Sequence, residues 1–204
     1  MNSAYDDVRR RVSCEAATLL YFGAENEYKQ AKLKAAKILG THFLPTNLEV
    51  ALELDKIAEE KEGALRKERL VLMRREALKI MKHLDTYYPL LIGSVWRGIA
   101  RIGSDVDIVV YADQPEQVLE LLKTLNIKIQ QACWTSVNKQ GITFLSYHIY
   151  AETDTKICLE IVVHSLDEAG KTRKCDIFGD ELKGLKTPEL EKLLKENATK
   201  QFLP

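Results

Sequence analysis

Apolar positions recur at helical spacing through the first part of this chain and at strand spacing through much of the rest, and the change falls near Pro89. Before it, Ser3 with Asp6 resembles a capping box, and a helix is predicted from there to Gly23. A second helix is predicted from Glu25 to Leu39, stopping at Gly40. Pro45 breaks the chain, Thr46 with Glu49 repeats the capping pattern, and Val50, Ala51, Leu54, Ile57 and Ala58 form one apolar stripe. After Gly63 a long helix is marked by Leu70, Met73, Ala77, Ile80, Met81 and Leu84. Four stripes of this kind need covering, so they are expected to pack on each other and on the second half.

From Pro89 onward the period shortens. Leu90 to Ile92 is a short apolar run ending at Gly93. Val106, Ile108 and Val110 share one side of a second strand, leaving Asp105 and Asp107 on the other. Gln117 to Thr124 has helical spacing, whereas 127–137, 142–150 and 157–163 read as strands, the first two joined around Asn138 to Gly141. Thr187, Pro188 and Glu189 open a last helix, with proline where its missing N–H costs least. The expected layout is α+β, a helical region over 1–87 followed by a mixed-sheet domain with flanking helices over 88–204.

Charge and cysteine content narrow the picture. Lys+Arg and Asp+Glu balance at 30 each, so the overall field does not draw in a polynucleotide and any such contact must rest on a local patch. No apolar run is long enough to span a membrane, and Met1 to Arg11 lacks the apolar core of a signal peptide. Cys14, Cys133, Cys158 and Cys175 show no paired spacing, which argues for reduced thiols in a cytoplasmic protein rather than a disulfide framework or zinc site.

The chemistry concentrates between Gly93 and Ile108: a strand ends in a Gly-Ser bend, a short loop or helical turn follows, and the next strand opens with Asp105 and Asp107. Two residues apart on a strand, these acids project side by side from one face. Neighbouring carboxylates repel, and a divalent cation such as Mg²⁺, which takes carboxylate and phosphate oxygens, is the usual remedy. Two such ions sharing carboxylates can activate an attacking oxygen and stabilise a leaving one. Gly93 lets backbone approach a phosphate closely, and Ser94 can donate to it.

Gly93, Ser94, Arg97, Gly98, Ser104, Asp105 and Asp107, at this separation, resemble the Gly-Ser … Asp-x-Asp motif of the DNA polymerase beta-like nucleotidyltransferase superfamily, most closely its minimal archaeal and bacterial branch. Trp96 departs from the alanine usual there. The resemblance implies a nucleotidyltransferase-fold sheet and a metal-dependent enzyme, transferring a nucleoside monophosphate from a nucleoside triphosphate to a hydroxyl acceptor with release of pyrophosphate. It implies Asp105, Asp107 and a third strand-borne acid as catalytic metal ligands for two Mg²⁺ ions, with Mn²⁺ as the alternative ion. Glu160, a lone acid in an apolar strand, is the leading third carboxylate, with Glu152 and Asp154 as competitors. Gly93, Ser94, Arg97 and Ser104 are the expected nucleotide- and phosphate-binding residues. The acceptor stays open between an RNA end, a small molecule and a protein. The alternatives are a catalytically silent nucleotide-binding module and a toxin–antitoxin-type regulatory module, with the N-terminal helices as a route to homo-oligomers.

Other residues have a functional and a structural reading side by side. Arg101 either holds phosphate or pairs with nearby acids. His148 and His164 lie on predicted strands, where structural histidines are commoner than catalytic ones. Trp134 and Tyr147 suit cross-strand packing better than base stacking. Arg66, Lys67, Arg69, Arg74, Arg75, Lys79 and Lys82, interleaved with Glu62, Glu68 and Glu76, read as a solvated helix face.

Overall fold

A computed structural model of the chain describes all residues except Met1, Asn126, Gln140 and Gly141, and only the backbone of 2–5, 137–139 and 142–144. Its contacts divide it into two compact units. One comprises the chain up to Arg66 with Lys174–Glu181 and Pro204; the other comprises Lys67–Arg173 and Leu182–Leu203. The division falls earlier than the expected 87/88.

The first unit is built on α1 (Asn2–Tyr21), α2 (Tyr28–Ile38) and α3 (Asn47–Glu62), with α1 packed against both others. Its core is small-sided: Val12, Ala16, Ala17, Leu20, Ala31, Ala35, Ala36 and Val50. The start of α3 follows the sequence. The Glu49 N–H donates to Thr46 Oγ1 at 3.2 Å, and the Thr46 N–H donates to Glu49 Oε2 at 2.8 Å. At α1 the helix already runs from Asn2, so Ser3 lies within it rather than before it; the Ser3 side chain is outside the described residues. The 140–141 link of the hairpin expected around Asn138 to Gly141 is likewise outside them.

The second unit explains the shifted boundary. Helix α4 (Ala64–His83) sends Leu70, Met73, Ala77, Ile80 and Met81 into the same core as the sheet, so most of it belongs with the strands. The sheet has six strands: β1 (Leu90–Ile92), β2 (Val106–Tyr111), β3 (Ile127–Lys139), β4 (Ile142–Thr153), β5 (Cys158–His164) and β6 (Leu185–Lys186). Their order is β3-β4-β5-β2-β1-β6, with β2 and β5 parallel and every other neighbouring pair antiparallel. The two-residue β6 carries too little alternation to be read from sequence. Leu91, Val106, Ile108, Val110, Ile149, Leu159, Ile161 and Val163 form the core face. Against it lie apolar residues of α4, α6 (Pro115–Lys123) and α7 (Thr187–Glu196), among them Val118, Leu122, Leu190 and Leu193. Period-2 alternation therefore puts Asp105, Asp107 and Glu160 on the opposite face.

Two arginines on α4 depart from the solvated-face expectation. Arg74 is fully buried and fans out to four carbonyls: Nε donates to Val95 O at 3.0 Å, Nη2 to Trp96 O at 2.8 Å and Lys200 O at 2.9 Å, and Nη1 to Ala198 O at 2.7 Å. It thereby ties α4 to α5 (Gly93–Arg97) and to the segment after α7. Burial pulls its pKa down to about 10, so it stays cationic at neutral pH. Arg66, also buried, pairs with Asp55 and Glu59.

Candidate active site

Strand β1 ends where Gly93 takes φ +69°, a left-handed conformation open to glycine, and α5 begins there. The sequence suggests that Gly93 admits a phosphate; the structure adds a second reason for it. A Cβ at this position would stand 1.9 Å from Asp107 Oδ2, so the Asp107 carboxylate occupies the space a side chain would fill. The pairing of Ile92 with Asp107 across β1 and β2 brings this about.

Across the other edge of β2, Asp107 sits in register with Glu160 on β5. Three carboxylates thus share one patch of the sheet. The Asp107 carboxyl is pushed up to about 7, first by burial, then by the charges of Glu160 and Asp105. Asp105 is raised as well, by burial and then by Glu160. Of the competing acids, Glu152 pairs with Lys156 at 2.8 Å one strand further out.

Glu160 has partners that sequence reasoning missed. On β4, His148 Nδ1 lies 2.7 Å from Glu160 Oε1, and its Nε2 lies 2.8 Å from Ser146 Oγ. An ionised carboxylate only accepts, so in a neutral ring Nδ1 carries the hydrogen and Nε2 accepts from Ser146. Tyr150, opposite Glu160 in the register, also hydrogen-bonds it, and its ring stacks on that of His148 at 6.2 Å. The signal was present as alternation: Ser146, His148 and Tyr150 alternate along β4 with the buried Tyr147, Ile149 and Ala151.

The other expected residues are placed as follows. Ser94 opens α5 beside Gly93, half-buried. Ser104 Oγ accepts from the Arg101 N–H at 3.0 Å, and the Ser104 N–H donates to Arg101 O at 3.0 Å, so this serine closes the turn that delivers Asp105. Arg101 Nη1 donates to Ile102 O at 3.0 Å. Arg97 is 3% exposed; its guanidinium lies over the Trp96 ring and donates to Phe202 O at 3.1 Å. That placement speaks against a phosphate contact, because the charge is directed at the C-terminal segment. Trp96 stacks on Phe202 at 6.5 Å, which accounts for a bulky residue where the family motif has alanine. His164 Nε2 accepts from Arg173 Nη1 at 2.6 Å, a structural role, and Trp134 meets Tyr147 edge-to-face at 5.2 Å, the cross-strand contact.

Carboxylates crowded on one patch suit a divalent cation, which would relieve their repulsion. Among the described residues no three His, Cys, Asp or Glu side chains converge as they stand on a point that could hold a metal ion; Glu160 is engaged by His148 and Tyr150. The carboxylate oxygens of Asp105, Asp107 and Glu160 are of the kind that a divalent cation takes.

Residues 74–164 match the family model described as nucleotidyltransferase domain. Among solved structures, JHP933 from Helicobacter pylori is similar at 17% identity and a TM-score of 0.27, over 59% of this chain and 51% of that one. The chain thus spans about half the length of that protein, a likeness too loose to bear on activity. No curated protein sequence matches the chain. No described helix is long and apolar enough to cross a membrane.

Proposed function

We propose that this chain transfers a nucleoside monophosphate from a nucleoside triphosphate to a hydroxyl acceptor. The observation that carries the reading is the register of β1, β2 and β5, which brings the Gly93 bend, Asp107 and Glu160 side by side. Asp105 and Asp107 would hold divalent cation, Mg²⁺ or Mn²⁺ and two ions by analogy with related enzymes. Such ions neutralise charge on the phosphates and lower the pKa of the attacking hydroxyl.

The chain's own residues supply position. Gly93 and Ser94 offer backbone and hydroxyl to the β- and γ-phosphates. Ser104 and Arg101 hold the turn before Asp105. Glu160, on the flank away from β1, orients the acceptor hydroxyl and takes its proton as the oxygen bonds to the α-phosphorus. The bond between the α-phosphorus and the bridging oxygen breaks, and pyrophosphate leaves on the opposite side. Most of the rate acceleration comes from fixed geometry and charge placement. The four scattered cysteines, free of disulfides, support the cytoplasm as the compartment.

The test is incubation of the full chain with each α-labelled triphosphate, Mg²⁺ or Mn²⁺, and fractionated cell extract, alongside Asp107→Asn. Label transfer by the wild type and a loss of about a hundredfold or more in the variant are expected. Equal transfer by both would overturn the assignment. Metal-dependent triphosphate binding with no pyrophosphate release in any fraction would favour the silent module.

A further inference from the structure

Helix α5 spans only Gly93–Arg97, five residues, yet it carries both Gly93 and Ser94. A helix shorter than about 12 residues is marginal in water when left to itself. Its place is therefore set by what bonds to it from outside, and much of that comes from the segment after α7. The Phe202 N–H donates to Arg97 O at 2.9 Å, and Arg97 Nη1 donates back to Phe202 O at 3.1 Å. Beside this two-point clamp, Gln201 Nε2 donates to Gly98 O at 3.4 Å. A second route runs through Arg74, which donates to Val95 O and Trp96 O on α5 and to Ala198 O and Lys200 O on the same segment.

The side chains repeat the connection. The Arg97 guanidinium lies 4.5 Å from the Trp96 ring centroid, Trp96 stacks on Phe202 at 6.5 Å and 23°, and Lys200 Nζ stands 5.3 Å over the Phe202 ring. Two rings and two cations thus form one chain of contacts, each of a kind that adds to simple burial. Trp96 and Arg97 are buried, so water offers neither of them a ready substitute. The far end of α5 is held in this way while its near end touches the acids, because Gly93 leaves room for Asp107 Oδ2 and no more. A shift of about 1 Å in such a group can cost a hundredfold in rate.

We propose that Phe202, 105 residues beyond Arg97, is a positioning residue for the phosphate bend. By clamping Arg97 and bracing Trp96 it fixes where Gly93 and Ser94 stand relative to Asp105 and Asp107. The inference rests on the nucleotidyl-transfer reading and deepens it. Trp96 is the side chain that transmits the brace, a task that alanine, too short to meet Phe202, could not perform.

The experiment is calorimetric titration of the full chain with each of the four ribonucleoside triphosphates, Mg²⁺ present, together with hydrogen exchange of the peptide amides. Phe202→Ala is expected to weaken the triphosphate by about tenfold and to speed exchange across 93–98 while leaving 106–111 protected, a local pattern that general loss of structure would not give. Phe202→Tyr, which keeps the ring, should bind within about twofold of the wild type. Phe202→Leu, the milder change should the alanine variant lose its native circular dichroism, is expected to show the same local pattern. Trp96→Ala/Phe202→Ala should bind no more weakly than the weaker single variant, since both break one chain of contacts; additive losses would overturn the route through Trp96. If the wild type binds triphosphate, Asp107→Asn binds it weakly, and Phe202→Ala matches the wild type in affinity and exchange, the positioning role falls and the catalytic reading stands. If the wild type binds no triphosphate at all, both fall.

Discussion

The contact between Gly93 and Asp107 makes the bend sensitive to a single methyl group. Gly93→Ala adds a Cβ where Asp107 Oδ2 now sits, at a φ of +69° that costs an L-residue about 1–2 kcal/mol. Expected are a modest loss of urea stability and an abolition of nucleotidyl transfer as severe as that of Asp107→Asn, because the carboxylate must swing away. Retention of wild-type transfer would show that the approach is not needed. His148 is the second test at this scale. As a positioning residue for Glu160, it should lower the rate of transfer roughly ten- to a hundredfold when changed to alanine, with little effect on the KM for triphosphate. His148→Gln, whose amide can still donate to Glu160, should recover part of that rate. A change confined to KM, or no rescue by glutamine, would contradict the role.

At the scale of elements, Arg74 holds three pieces of chain together. Its bonds to Val95, Trp96, Ala198 and Lys200 fix α5, and so the Gly93 bend, against α4 and the C-terminal segment. Gly98, at φ +77°, completes this arrangement, since a Cβ there would come within 2.6 Å of Lys200 O. Arg74→Met keeps the volume but removes the donor that four carbonyls share, those of Val95 and Trp96 being buried. A loss of roughly 3–5 kcal/mol in urea unfolding is expected. A loss below about 1 kcal/mol would mean that water replaces the guanidinium. The sequence showed Arg74 only as one member of a basic run, because helical spacing records which face a residue is on and not what lies over that face.

For the molecule as a whole, acid sensitivity has an identifiable contributor. His164 is driven down to about 4, first by burial, then by the Arg173 charge and to a lesser degree by His148, with Glu168 acting in the other direction. The folded chain therefore binds fewer protons than the unfolded chain, whose histidine titrates near 6.5. The stability from a neutral His164 is complete above pH 6.5 and declines as the pH falls toward 4. Over the same range Asp107, with its raised pKa, adds stability as the pH falls, so the effect is read as a difference: the urea midpoint of His164→Gln, which can still accept from Arg173, should gain on that of the wild type between pH 7 and 4. An unchanged profile would remove His164 as the cause.

Sequence alone determined the elements and the chemical parts. The helices before Pro89, the strands at 90–92, 106–110 and 157–163, the Thr46–Glu49 cap and the acids were legible because each rests on local spacing along one segment. Tertiary structure decided what no single segment holds: that β2 and β5 lie side by side, that His148 reaches Glu160 from a third strand, that Arg97 donates to the C-terminal segment, and that most of α4 belongs with the sheet. The physical reason is the same in each case. Alternation tells which face a side chain takes, whereas its partner is fixed only when strands distant in sequence pair in one register and their shared face buries its apolar groups.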